Sequence, residues 1–284
     1  MEEKFVYPEN FIKYLGTSGG RFSMISQQRS TGGVWFRYGG LQGVIDPGPG
    51  SLVRICEAEP RLSVENIDAV ILTHKHIDHS SDANVLIECM THGGFESHGV
   101  LVAPNDAING DEAVVIKFSQ RRVPRIIMPE DGKIFQIGDV RIEPVTHVHH
   151  GVECFGYIFR CKGLNEWGMI SDSKMLPEFS VRYAKCAFMS VNVTFADMRK
   201  HLDHISVGEA KEMFAKLHPD TAVLTHLGAM LTAPDGKQYL QDLSTDKSRV
   251  IPASDGMVVD LDTNDVYEVE ESAIKNISYR KMMG

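Results

Sequence analysis

Thr73-His74-Lys75-His76-Ile77-Asp78-His79 places three imidazoles and a carboxylate side by side. These are common ligands of divalent transition metals, and a bound divalent ion makes water nucleophilic near neutral pH. In an extended segment alternate side chains point the same way, so His74 and His76 can grip one ion. Asp78 and His79, where the chain turns, point elsewhere and can hold a second. Taken alone the stretch also fits a hydrated histidine-rich loop, but four ligand-type side chains at this spacing weigh against that reading. Two ions ~3.5–4 Å apart can clamp the attacking and leaving oxygens of a phosphate ester. Such a pair needs roughly seven or eight protein ligands, one of them a bridging carboxylate, so other segments must supply the rest.

Three further segments offer ligands just past apolar runs. Val145-Thr146-His147-Val148-His149-His150-Gly151 carries three histidines, Ile170-Ser171-Asp172-Ser173 a carboxylate, and Leu224-Thr225-His226-Leu227-Gly228 a histidine. Any one of these fits a solvated surface residue. Four coincident strand-end groups do not. The residue types alone leave His147, His149 and His150 open as alternatives.

The elements that must position these groups alternate between strands and helices. Ala69-Val70-Ile71-Leu72 has the length and β-branching of a buried strand, and a helix follows from about Asp82 to Met90. The histidine cluster therefore lies where a strand hands over to a helix, a favoured ligand position in α/β folds. Phe11 to Leu15 reads as a first strand, with the loop Gly16-Thr17-Ser18-Gly19-Gly20 after it. That loop lacks the lysine of a P-loop and the spacing of a dinucleotide fingerprint, so its task is to bring backbone close to something such as the metal site. Val34–Tyr38 and Gln42–Asp46 read as a hairpin turning at Gly39-Gly40, and Ser51 as the cap of a short helix through Glu59. Val100–Ala103, Arg125–Met128, Lys133–Phe135, Val140–Val145, Phe155–Phe159, Gly168–Ile170, Cys186–Met189 and Ala222–Thr225 read as further strands. A helix spans Val207 to Leu217, with Ala210, Met213, Phe214 and Leu217 on one face. No linker or low-complexity segment interrupts this rhythm, so residues 1–284 read as one domain of two similar halves, with a loosely packed end from Ser272 to Gly284.

Composition narrows the function classes. The chain has 284 residues, 43% hydrophobic and 24% charged, enough apolar material for a sizeable core. A formal charge of −9 disfavours broad, unspecific nucleic-acid binding. The compact basic group Arg121, Arg122 and Arg125 reads as a solvated turn. Five scattered cysteines without a C-x-x-C pair argue against a disulfide scaffold or a thiolate zinc site. No run approaches the ~18 apolar residues of a membrane span. With no signal-peptide pattern at Met1-Glu2-Glu3-Lys4-Phe5 either, the expected location is the cytoplasm.

With these residues in place, the chain resembles the metallo-β-lactamase fold hydrolases, and most closely their ribonuclease Z and cyclic-phosphate phosphodiesterase branch. His74, His76, Asp78 and His79 match the family's His-x-His-x-Asp-His motif. His150-Gly151 followed by Phe155-Gly156-Tyr157 resembles the branch's His-Gly-(x)n-Phe-Gly-Tyr segment, which implies His150 as the ligand and His147 as runner-up. Asp172 resembles the bridging aspartate and His226 the last ligand. The resemblance implies one ion on His74, His76, His150 and Asp172, and another on Asp78, His79, Asp172 and His226. His204-Ile205-Ser206 resembles the branch's His-Ser-Thr motif, whose histidine faces the scissile phosphate; spacing to His226 favours His204 over the nearby His201. The likeness spans about residues 11 to 228.

The resemblance further implies an α/β fold, a four-layer αββα sandwich of two mixed sheets flanked by helices. Two divalent ions are expected: imidazole and carboxylate suit zinc, with manganese or iron permitted. The implied activity is phosphodiester hydrolysis by a metal-bridging hydroxide that Asp78 and Asp172 orient, with His204 protonating or stabilising the leaving oxygen. The longer ribonuclease Z enzymes insert a glycine- and proline-rich arm for transfer RNA between the positions of His150 and Asp172. Here residues 151 to 171 have room for only two short strands and a turn, with Arg160 and Lys162 as their only basic residues. Small or cyclic phosphodiesters, including nucleotides, fit better than RNA. The alternatives are a ribonuclease Z-like RNA 3′-processing endonuclease, a carbon-ester, thioester or lactone hydrolase, and a non-catalytic binding protein on the same fold. A homodimer is the expected assembly.

Overall fold

A computed structural model describes residues 5–272 and 276–281. The first half runs β1 (Phe11–Tyr14), β2 (Val34–Tyr38), β3 (Leu41–Ile45), β4 (Ala69–Ile71), β5 (Val100–Val102) and β6 (Arg125–Ile127). The second runs β7 (Phe135–Ile137), β8 (Val140–His149), β9 (Val152–Arg160), β10 (Trp167–Ile170), β11 (Phe188–Asn192), β12 (Thr221–Thr225) and β13 (Arg249–Pro252). The chain then returns through β14 (Val258–Asp260), β15 (Val266–Ser272) and β16 (Asn276–Lys281).

Among the described residues these strands form two mixed sheets, ordered β16-β15-β14-β1-β2-β3-β4-β5-β6 and β13-β12-β11-β10-β9-β8-β7. Each sheet has a parallel half, β3 to β6 in one and β10 to β13 in the other, joined to an antiparallel half. This repeated plan is the physical content of the two similar halves legible in the sequence. Parallel strands need crossover connections, so ligand-bearing loops leave their carboxyl ends on the same side.

The inner faces of both sheets share one core that includes Ile12, Phe36, Tyr38, Ile71, Tyr157, Phe159, Trp167, Phe188 and Val223. Helix Ala83–Met90 covers the outer face of the first sheet with Ala83, Leu86, Ile87 and Met90. Helix Val207–Leu217 covers the second with Val207, Ala210, Met213, Phe214 and Leu217. The result is the expected four layers. The second of these helices starts on a capping box: Ser206 Oγ accepts from Glu209 N–H at 3.3 Å, and the Glu209 carboxylate accepts from Ser206 N–H at 2.9 Å.

Several sequence expectations shift. The helix at Ser51 ends at Cys56, and its cap is Gly50 in the left-handed region, with Ser51 buried as the first helical residue. The strand expected at Lys133–Phe135 lies at Phe135–Ile137. The C-terminal stretch expected to be loosely packed instead pairs β15 with β16 in a continuous antiparallel register at the sheet edge; residues 273–275 and 282–284 lie outside the described part. All five cysteines are free thiols. No helix among the described residues is long and apolar enough to cross a membrane.

Candidate metal centre

The strand β4 ends in Leu72-Thr73, and the cluster follows at once. His74 and His76 turn to the same side, His74 Nε2 lying 3.1 Å from His76 Nδ1. The chain then enters the short helix Ile77–Ser80, which swings Asp78 and His79 away toward β12. There His79 Nε2 lies 3.1 Å from His226 Nε2, and His226 Nε2 lies 3.4 Å from Asp78 Oδ2. Asp172, just past β10, sits between the two groups. Its Oδ2 is 3.5 Å from His149 Nε2 and 3.6 Å from His79 Nε2, and its Oδ1 is 3.4 Å from His226 Nδ1.

The sequence resemblance pointed to His150 in the first group. The structure brings His149 there instead, with His149 Nε2 3.0 Å from His76 Nδ1. The reason is strand alternation: β8 runs through His149, so His147 and His149 share the inward face and Val148 points out. His150 lies past the strand end at φ 44°, followed by Gly151 at φ 73°, and its side chain is over a third exposed near His149 and His204. The runner-up His147 is buried behind the cluster, its ring 4.9 Å from Phe179 and its Nε2 3.3 Å from the Tyr183 hydroxyl. His201 is exposed and does not line the cavity that opens over the cluster.

The donor set fits a pair of divalent ions. Ligand atoms at ~2.0–2.2 Å from a tetrahedral ion stand ~3.3–3.6 Å from each other. The converging nitrogens and carboxylate oxygens here are separated by 3.0 to 3.8 Å. Thiolate is not part of the set; Cys154 turns its sulfur to the Asp172 backbone carbonyl at 3.2 Å.

A second layer of hydrogen bonds fixes which nitrogen faces inward. His79 Nδ1 lies 2.9 Å from the buried Asp46 carboxylate and His149 Nδ1 2.9 Å from the Asp203 carbonyl. Both oxygens can only accept, so Nδ1 donates and the Nε2 lone pair points into the site. Thr73 Oγ donates to Asp46 at 2.7 Å and so accepts from His74 Nδ1 at 3.0 Å. Thr194 Oγ lies 3.1 Å from His226 Nδ1 and 3.0 Å from His204 Nδ1. One hydroxyl can accept from the first and donate to the second, which leaves Nε2–H of His204 free to donate.

Charge follows this layout. Burial holds His74 well below the ordinary imidazole range, and burial together with neighbouring imidazoles brings His76 and His149 down to about 4, so these three are neutral near pH 7 and able to donate a lone pair. Burial also opposes a charge on His79, but Asp78, Asp46 and Asp172 outweigh it and hold His79 well above its ordinary value, so an ion binding at its Nε2 would displace the proton there and free the lone pair. Asp172 is buried too, yet the imidazoles of His226, His204 and His79 hold it well below the carboxylate range. Burial brings His204 down to about 4.

The glycine-rich loop after β1 does what its composition suggested. Gly19 packs on the His226 ring so closely that a Cβ would fall 2.1 Å from Cγ, and Gly20 N–H donates to Asp78 Oδ2 at 3.0 Å. Asp46, Thr73, Thr194 and Asp203 fall outside every ligand motif of the sequence. Asp46 carried a signal, since it ends the apolar run Val44-Ile45 just as Asp172 ends its own; Thr194 carried none. Lys75 ties the loop to Glu112 at 2.8 Å and Asp106 at 3.6 Å.

A cavity of about 490 Å³ opens over the cluster, with His76, Asp78, His149, Asp172, Thr194 and His204 among its lining. That is the size of a small-molecule site.

The sequence profile of a beta-lactamase superfamily domain matches residues 44–227, which include every histidine and aspartate of this cluster. The uncharacterized protein MJ1374 of Methanocaldococcus jannaschii is 27% identical over 256 residues, 88% of this chain and 94% of its own. Ribonuclease Z of Methanopyrus kandleri is 29% identical over 152 residues, 52% of this chain and half (50%) of its own. Among solved structures, the metallo-beta-lactamase fold protein YhfI from Bacillus subtilis superposes with a TM-score of 0.72 at 20% identity, covering 88% of this chain and 98% of its own.

Proposed function

Because the chain belongs to the beta-lactamase superfamily and has the metallo-β-lactamase fold, we propose that it is a metal-dependent phosphodiesterase acting on small or cyclic phosphodiesters. The observation that carries this reading is that Asp172 stands between two groups of ligand-type side chains while a further histidine, His204, lines the same cavity with its Nδ1 3.6 Å from the Asp172 carboxylate.

In this reading His74, His76, His149 and Asp172 would hold one divalent ion, and Asp78, His79, Asp172 and His226 would hold the other; zinc suits the donors, with manganese or iron permitted. The ions supply a lowered pKa for water and positive charge for the phosphoryl oxygens. Asp78 and Asp172 accept hydrogen bonds from the attacking water and orient it. His204, neutral through burial and with Nδ1 accepting from Thr194, presents Nε2–H to the leaving oxygen. A neutral imidazole stabilises developing negative charge there by hydrogen bonding rather than by giving up a full proton.

The likeness to ribonuclease Z favours phosphodiester chemistry and makes RNA 3′ processing the second reading. Against it, only residues 161–166 join β9 to β10, where the longer ribonuclease Z enzymes carry their arm. A carbon-ester, thioester or lactone hydrolase has no need of a histidine at position 204. The test is His204→Ala in metal-loaded protein. We expect both ions retained and turnover of bis(p-nitrophenyl) phosphate lowered about 100-fold or more, as for loss of one transition-state donor. Unchanged turnover removes the role of His204. Cleavage of a precursor transfer RNA at its discriminator base, with no activity on small diesters, replaces the reading by the second.

A further inference from the structure

The floor of the cavity is polar, but its rim is not. Four large apolar side chains stand exposed around it: Phe22 (79%), Ile77 (62%), Met230 (42%) and Leu202 (41%). They come from four separate segments: helix Arg21–Ser26, helix Ile77–Ser80, helix Ala229–Thr232 and the loop before His204. Met24 and Phe195 line the same opening. Single exposed apolar residues are ordinary on a protein surface, but several converging on one opening mark a site. Ile77, placed between two expected ligands, otherwise has no task there.

The charges lining the cavity are as telling. Arg21 is the one permanent cation among its described lining residues; Arg199, on the neighbouring loop, lies over the Phe195 ring at 6.0 Å. A polyanion is held by many cations along a track. One guanidinium beside a metal floor matches a single negative charge. Aromatic and thioether side chains adapt to flat rings, which offer large area at small entropic cost.

We propose that this rim is a recognition wall for a flat, uncharged ring system borne by a singly charged phosphodiester, so that Phe22, Ile77, Leu202 and Met230 set substrate choice while His204 and the metal ligands act on phosphorus. The inference deepens the phosphodiesterase reading and rests on it for the phosphorus centre only. Two occupants compete for the same surface: a second copy of this chain, and extended nucleic acid.

The experiment uses metal-loaded protein and two monoesters with one leaving group, p-nitrophenyl phenylphosphonate and p-nitrophenyl methylphosphonate. Wild type is expected to prefer the phenyl compound by about tenfold in kcat/KM, chiefly through KM, the scale of a filled apolar contact. The double variant Phe22→Ser/Met230→Ser, at exposed positions, is expected to lose most of that preference while its circular dichroism and metal content stay as in wild type. A parallel calorimetric titration with phenylphosphonate and methylphosphonate reads binding without turnover, with a more negative heat-capacity change for the phenyl compound. A ratio near one in wild type, or a ratio the double variant does not change, overturns the wall and leaves the phosphodiesterase reading intact. If neither ester nor bis(p-nitrophenyl) phosphate is turned over, that reading fails; whenever the two esters are inert the titration decides: a phenyl preference lost in the variant supports the wall, and equal binding overturns it. A dimer in sedimentation that the double variant dissociates, with the ester ratio unmoved, assigns the rim to self-association and also overturns it.

Discussion

Asp46→Asn isolates the part of the site that no ligand motif announces. Asp46 accepts three hydrogen bonds: from Thr73 N–H at 2.7 Å, from Thr73 Oγ at 2.7 Å and from His79 Nδ1 at 2.9 Å. Asparagine keeps the size and can still accept from Thr73 N–H through its carbonyl. Its amide then faces two donors, the Thr73 hydroxyl and His79 Nδ1–H. The conflict is relieved when His79 moves its proton to Nε2, the nitrogen aimed at Asp78 and His226. A charge-assisted hydrogen bond contributes about 1.5–3 kcal/mol, which corresponds to roughly a 10- to 100-fold weaker ion at ~1.4 kcal/mol per tenfold. Changes to the partners of metal-bound histidines have effects of that size. The assay is competition with a chromophoric chelator, which resolves a tight and a weakened ion. The expected result is a loss confined to the ion held by Asp78, His79 and His226, with the His74–His76–His149 ion nearly unchanged. Equal affinities in variant and wild type, with the fold intact by circular dichroism, refute the claim that Asp46 sets the His79 tautomer.

Two more outcomes test the reasoning. His149→Ala is expected to drop bound metal from two ions to one per chain by mass spectrometry, while His150→Ala keeps both; the reverse pattern restores the ligand choice that the sequence resemblance implied. Burial pushes the Cys186 thiol up to about 12 and holds Cys154 well above the ordinary thiol range, whereas Cys56 is exposed. Alkylation requires the thiolate. Native protein with iodoacetamide at pH 8 should therefore be modified at Cys56 while Cys154 and Cys186 stay unmodified, and raising the pH to 10 should leave Cys186 protected because its proton is still bound; labelling of Cys186 at pH 8 contradicts that burial.

Much of this protein is written locally. The buried run before Thr73, the helix Val207–Leu217 with its apolar face, and the hairpin at Gly39-Gly40 depend on near neighbours in sequence, and all three stand where the pattern put them. The side chains able to bind a metal were equally plain, because imidazole and carboxylate just past an apolar strand have few other reasons to recur. Tertiary structure decided the rest. Which of His147, His149 and His150 turns inward depends on where β8 stops, and its last residue is fixed by pairing of His149 with Val152. Asp46 and Thr194 matter only because distant strands carry their side chains against His79, His204 and His226. The rim of Phe22, Ile77, Leu202 and Met230 exists only once four segments meet around one opening. Sequence could name the atoms able to bind a metal, since that is a property of residue type and strand ends. Which nitrogen faces inward, and what stands around the opening, are properties of contacts between residues far apart in the chain.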